Sequence, residues 1–191
     1  MIQVRIHGRG GQGVVTSAEL IAIAAFKSGL YAQAFPFFGV ERSGAPIQAF
    51  ARISETPITV REHIYEPDII IVQDATLLES DDILFGAKKN TKILVNTSSS
   101  AEEIANKIKT EKIQSFMPAT KNIFVTDATK IALEVLGRNI MNTTILGVFA
   151  KFTKLISLNS LHEAISEKLN SKGEKIISAN IAAAKRAYNE H

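Results

Sequence analysis

The stretch from Ile2 to Gly29 constrains this chain more than any other. Ile2-Gln3-Val4-Arg5-Ile6-His7 alternates apolar and polar residues, Gly8-Arg9-Gly10-Gly11-Gln12-Gly13 follows, and Val14 to Ser28 is a long, largely apolar segment without proline or glycine. That order predicts a strand, a glycine loop and a helix. Four glycines in six positions let the backbone turn through positive φ and leave amides uncovered at a helix N-terminus, where the helix dipole adds partial positive charge. Such a place attracts an anion, most often phosphate.

Two common nucleotide motifs are only half present. Gly8-x-Gly10-x-x-Gly13 fits the dinucleotide fingerprint, which also requires an acidic residue about 20 positions on to hold the ribose. The second strand candidate, Leu30 to Phe35, ends without one. Gly8-x-x-x-x-Gly13 has P-loop spacing, but Val14-Val15 stand where Lys and Ser or Thr would reach phosphate and magnesium. A tight strand-to-helix turn with no ligand is the plain structural alternative. The helix itself is apolar nearly all round, as expected when it is covered on more than one side, and Gly29 is placed to end it.

The 191 residues, 46% hydrophobic and 21% charged, suit one folded domain, with an α/β core over about 1–137 and a helical part over about 138–191. No apolar run approaches a membrane span, and the N-terminus reads as strand and not as a signal peptide, so the chain is expected in the cytoplasm. It contains no cysteine, hence no disulfide, no thiolate ligand for an iron–sulfur cluster and no thiol nucleophile. The net charge of +3 arises entirely after residue 150, where basic residues are spread among acids and apolar positions. That distribution argues against a nucleic-acid partner.

Residues 35–46, Phe35-Pro36-Phe37-Phe38-Gly39-Val40-Glu41-Arg42-Ser43-Gly44-Ala45-Pro46, read as a loop carrying three phenylalanines: either a surface that meets a partner or a loop folded onto its own core. Glu41-Arg42 is either a solvated pair or a buried anion contact. Ile47–Ile53, a turn at Ser54–Pro57 and a return at Ile58–Val60 predict a hairpin.

From Asp68 on, strand and helix alternate. Ile69–Val72, Ile93–Val95 and Ile123–Val125 are continuous apolar runs, as in a parallel sheet buried on both faces. They end in Asp74, Asn96 and Asp127 at the sheet's carboxyl edge, the usual ligand side; each of the three is also a natural cap for the helix that follows. Helices follow at about 143–155, 160–169 and 172–188. The expected architecture is a three-layer α/β/α fold with a mostly parallel sheet, a β-hairpin insertion and a C-terminal helical segment. The four histidines are scattered without metal-like spacing. His7, just before the glycine loop, is within reach of a ligand there, but a strand-end histidine bonded to backbone is the expectation.

Gly-Arg-Gly-Gly-Gln-Gly at 8–13, Phe-Pro-Phe-Phe-Gly-Val-Glu-Arg-Ser-Gly-Ala-Pro at 35–46 and Asn-Thr-Thr-Ile-Leu-Gly at 142–147 together resemble the gamma subunit of the 2-oxoacid:ferredoxin oxidoreductases, and most of all the pyruvate branch. Ser43 stands where many relatives carry a second arginine. The resemblance implies a subunit with no catalytic or metal-binding residue of its own. Thiamine diphosphate, magnesium and 4Fe-4S clusters would belong to partner alpha, beta and delta chains, with ferredoxin or flavodoxin as acceptor. It further implies that Arg9, Gly10, Gly11, Gln12, Gly13, Glu41, Arg42 and Asn142 face a shared coenzyme A site, and that Phe35, Phe37 and Phe38 dock a neighbouring subunit. Two other readings stand beside it: an assembly subunit of a 2-oxoisovalerate or 2-oxoglutarate enzyme, and a free-standing dinucleotide oxidoreductase. The missing ribose acid disfavours the latter.

Overall fold

The computed structural model describes residues 1–37, 43–79, 81–110 and 119–191. Among these, six strands form one sheet in the order β2-β3-β1-β4-β5-β6: β1 Ile2–Arg9, β2 Tyr31–Phe37, β3 Pro46–Ser54, β4 Ile69–Val72, β5 Lys92–Asn96 and β6 Ile123–Thr126. β1, β4, β5 and β6 pair in parallel, while β3 lies antiparallel between β1 and β2. The helices are α1 Val14–Lys27, α2 Ala101–Thr110, α3 Ala128–Leu136, α4 Asn142–Thr153, α5 Leu158–Lys168 and α6 Glu174–Asn189.

The period of two along each strand sorts its side chains between two cores. Val4, Ile6, Ile69, Ile71 and Leu94 join α1 and the C-terminal helices on one face; Ile70, Val72, Ile93 and Val95 join α2 and two 3-10 turns, Ala75–Glu79 and Asp81–Leu84, on the other. The three-layer α/β/α arrangement with a mostly parallel sheet is therefore present. α1 lies between the sheet and helices α4 and α5, which accounts for its apolar circumference. It ends as Gly29 enters the left-handed region at φ 83° and Leu30 N–H reaches back to the Ala25 carbonyl at 3.1 Å.

The hairpin has a different first arm from the one the sequence predicts. β3 pairs with β2, Phe35 opposite Phe50, and residues 58–60 are not strand. The reason is a pair of buried arginines. Arg52 donates to the Glu62 carbonyl at 2.6 Å, and Arg5 reaches the Ile64 carbonyl at 3.5 Å and those of Ile83 and Phe85 at 2.9 and 2.7 Å. These bonds draw residues 62–64 across the open face of β1–β3–β2 as a strap, with the His63 ring stacked on Phe50 at 5.6 Å. β2 also continues through Pro36 to Phe37, where a loop was expected; an outermost strand tolerates a residue without an amide proton.

Candidate functional site

The end of β1 and the start of α1 meet at the carboxyl edge of the parallel strands, and the glycine loop fills the junction. Gly13 is the N-cap of α1 at φ 74° and offers no side chain. The first bond within the helix runs from Ser17 N–H to the Gly13 carbonyl, so the amides of Val14, Val15 and Thr16 precede the ladder. A Cβ at Gly13 would stand 2.5 Å from Asn142 Nδ2, and one at Gly8 would stand 2.5 Å from a Val14 methyl. Helix α4 therefore presses its first residue directly onto the loop. Of the eight residues expected at the site, the structure brings Arg9, Gly10, Gly11, Gln12, Gly13 and Asn142 together. Glu41 and Arg42, with Phe38, lie outside the described residues.

The loop is braced from below. Arg9 Nε donates to Asp74 Oδ2 at 2.9 Å, while its terminal nitrogens donate to Thr76 Oγ1 at 2.8 Å and the Gly44 carbonyl at 3.2 Å. Gln12 Oε1 accepts from Arg9 N–H at 2.7 Å, and Gln12 Nε2 points to Asp74 Oδ2 at 3.4 Å. Burial alone would push the Asp74 carboxyl up, but donation from the Thr76 hydroxyl and amide and from Arg9 outweighs it and holds the group below the usual carboxylate range. Much of the Arg9 charge is thus answered within the chain. Gly10 N–H donates to the Ala45 carbonyl at 2.9 Å, and Gly44 N–H returns to the Gly10 carbonyl at 3.2 Å, tying the start of β3 to the loop.

A polar seam runs behind this edge. Gln73 Nε2 donates to Ser17 Oγ at 2.7 Å, and Ser17 Oγ faces the Asn142 carbonyl at 3.4 Å. Asn96 donates to the Gln73 carbonyl and to Thr129 Oγ1, both at 2.9 Å. Gln73 Oε1 and Asn142 Oδ1 are buried without a hydrogen-bond partner, two acceptors at a junction otherwise rich in donors. Of the three strand-end residues expected as caps, Asp127 caps α3 through Lys130 N–H at 2.9 Å, Asp74 caps its 3-10 turn through Thr76 N–H and also holds Arg9, and Asn96 instead bridges β4 and α3. The sequence marks Ser17 and Gln73 only by polarity, Ser17 within the largely apolar α1 and Gln73 at the end of the apolar run of β4.

His7, expected to bond to backbone, is buried, and the partner among the described residues is a side chain: its Nε2 accepts from Arg5 Nε at 3.0 Å; burial and the neighbouring guanidinium lower its pKa to about 3. It therefore stays neutral at physiological pH and is unsuited to proton transfer there. Among the described residues no group of three His, Cys, Asp or Glu is placed to hold a metal ion. Phe35 and Phe37 pack on Phe50, with ring centroids 5.1 and 6.2 Å away, and Phe37 remains 38% exposed. The arrangement can bind and orient an anion; among the described residues it carries no nucleophile paired with a base.

Residues 3–190 match a family model described as pyruvate ferredoxin/flavodoxin oxidoreductase. Over all 191 residues the chain is 48% identical to the pyruvate/ketoisovalerate oxidoreductases common subunit gamma of Thermococcus kodakarensis, covering 97% of that protein. It is likewise 48% identical over its full length to pyruvate synthase subunit PorC of Methanocaldococcus jannaschii, again covering 97%. The crystal structure of pyruvate oxidoreductase subunit PORC from Thermotoga maritima matches with a TM-score of 0.82 at 35% identity, across 98% of this chain and 95% of that one.

Proposed function

We propose that this chain, which belongs to the pyruvate ferredoxin/flavodoxin oxidoreductase family and is a gamma subunit of that family, forms the coenzyme A side of an active site shared with its partner chains. In this reading the assembled enzyme decarboxylates pyruvate oxidatively to acetyl-CoA. Thiamine diphosphate, magnesium and 4Fe-4S clusters reside in alpha, beta and delta chains, which suits a chain with no cysteine. Electrons leave to ferredoxin or flavodoxin. The whole of residues 1–191 acts as one gamma-type unit. No helix among the described residues is long and apolar enough to cross a membrane, and the cytoplasm is the compartment we assign.

The observation that carries the reading is the uncapped start of α1, whose leading amides precede the helix ladder beside a loop that Gly10 and Gly44 tie together. Amides at a helix N-terminus hold phosphate oxygens without any side chain. Because Asp74 already answers Arg9, the attraction rests chiefly on the Gly11, Gly13 and α1 amides and on the Arg42 cation, two residues before Gly44 in the chain. Gln12 and Asn142 flank the loop as neutral donors, and Glu41 accompanies Arg42. In the assembled enzyme, an Arg9→Ala, Arg42→Ala double variant is expected to raise the KM for coenzyme A while thiamine-dependent decarboxylation continues. An unchanged KM overturns the assignment.

A second reading is favoured by exposed aromatic rings on α1 and the edge strand β2: Phe26 is 74% exposed, Tyr31 50% and Phe37 38%. In it the chain serves assembly alone, within a 2-oxoisovalerate or 2-oxoglutarate enzyme. Loss of complex formation on Phe26→Ser, Tyr31→Ser substitution, together with an unchanged coenzyme A KM in the double variant above, would select it.

A further inference from the structure

Between the C-terminal end of α3, the first turn of α4 and the start of α6 lies a cavity of about 560 Å³, within the range that small-molecule sites occupy. Its lining divides by chemistry. Arg138, Lys172 and Lys175 supply three cations, and no acidic side chain is among the described lining residues. The adjacent acid in sequence, Glu174, is turned along its own helix and accepts from Ser178 Oγ at 3.2 Å. Leu136, Ile140, Leu169 and Ile176 form an apolar wall, with Ile140 and Ile176 each more than two-fifths exposed.

Two helix N-termini add to the same sign. Neither α4 nor α6 has a side-chain cap, and the first turn of each borders the cavity. The polar groups at the base are settled with one exception. Thr143 Oγ1 donates to Asn180 Oδ1 at 2.7 Å and Asn180 Nδ2 donates to the Ile176 carbonyl at 2.8 Å, whereas Asn142, 7% exposed, has a buried Oδ1 with no partner. Asn142 also stands against Gly13, so this one side chain separates the cavity from the glycine loop.

We propose that the cavity is a separate binding site for an organic anion with an aliphatic body of about eight to ten carbons, a length its volume accommodates. The head group lies among Arg138, Lys172 and Lys175, and the tail lies on Leu136, Leu169 and Ile176. A carboxylate and a phosphate monoester share this chemistry, the Arg138 fork suiting either. The proposal is independent of where coenzyme A binds.

Titration calorimetry of the full chain with decanoate, decyl phosphate and decyltrimethylammonium, each below its micellar concentration, tests the site. One of the two anions is expected to bind one to one and at least tenfold more tightly than the cation, and whichever anion is tighter identifies the head group. An Arg138→Ala, Lys172→Ala, Lys175→Ala variant should lose at least tenfold in that affinity. Ala179→Leu, which fills the cavity and leaves the charges in place, should also lose it, and serves if the triple variant does not fold. Amide shifts on binding should fall on Ile140, Asn142 and Ile176. Equal affinity for the cation, undiminished binding to the filled variant, or shifts confined elsewhere would each overturn the assignment.

Discussion

Arg9 and Asp74, 65 residues apart in the chain, are joined at 2.9 Å across the carboxyl ends of β1 and β4. The pair fixes the floor of the glycine loop to the strand that follows the strap, and its chemistry sets a pH dependence. Because the folded Asp74 carboxyl lies below its unfolded range, the stabilisation it gives is complete above about pH 4 and is lost as the pH falls through the folded value. Both partners keep some solvent contact, so Asp74→Asn should cost only about 1 kcal/mol at pH 7. Urea unfolding of the two proteins should converge as the pH is taken below 4.

His7 gives the same sign with a wider window. Its pKa is about 3 in the fold and about 6.5 when unfolded, so between those values the unfolded chain binds a proton that the native one refuses. Stability from this group is intact above pH 6.5 and declines toward pH 3, at most by about 1.4 kcal/mol per pH unit. His7→Gln keeps an acceptor for Arg5 and should flatten the stability profile between pH 6.5 and 4 in denaturant titrations.

Gly147 lies where α4 crosses α6, and a Cβ there would overlap the Ala184 carbonyl oxygen. The obstacle is backbone, which cannot swing aside. Gly147→Ala should lower stability by about 2 kcal/mol or more and depress the melting temperature. Gly11→Ala has open space around its Cβ and is expected to cost less, through its φ of 95° alone.

Arg52 is fully buried, with bonds to the Glu62 carbonyl, Gln3 and Gln33 and with Phe35 beneath its guanidinium at 5.1 Å. Arg52→Met keeps the volume and removes every bond. Loss of about 2 kcal/mol is expected from the partners left unsatisfied. Limited proteolysis should then cut between residues 55 and 66 faster than it does in the parent chain.

Much of this fold was legible in the sequence because the signals were local. The period of two in Ile2–Ile6, the continuous apolar runs of β4 to β6 and the punctuation by Gly29 each report on their own neighbourhood. The hairpin failed for the opposite reason. Ile58-Thr59-Val60 looks like a strand, but its position is decided by guanidiniums at 5 and 52 that bind carbonyls some distance along the chain. The site shows the same division. The glycine loop and Asn142 could be read from motif, whereas the Arg9–Asp74 pair, the Ser17–Gln73 link and the Arg5–His7 bond depend on which strands become neighbours. No spacing in the chain encodes that.

The strap also bears on temperature and solvent. Contacts made by apolar surface alone weaken on cooling, but residues 62–64 are also fastened by charge-to-carbonyl bonds, so this half of the sheet is expected to hold its cover on cooling better than apolar contact alone would allow. Guanidinium chloride, whose cation can compete with both arginines for these carbonyls, is expected to release residues 62–64 earlier, relative to global unfolding, than urea does.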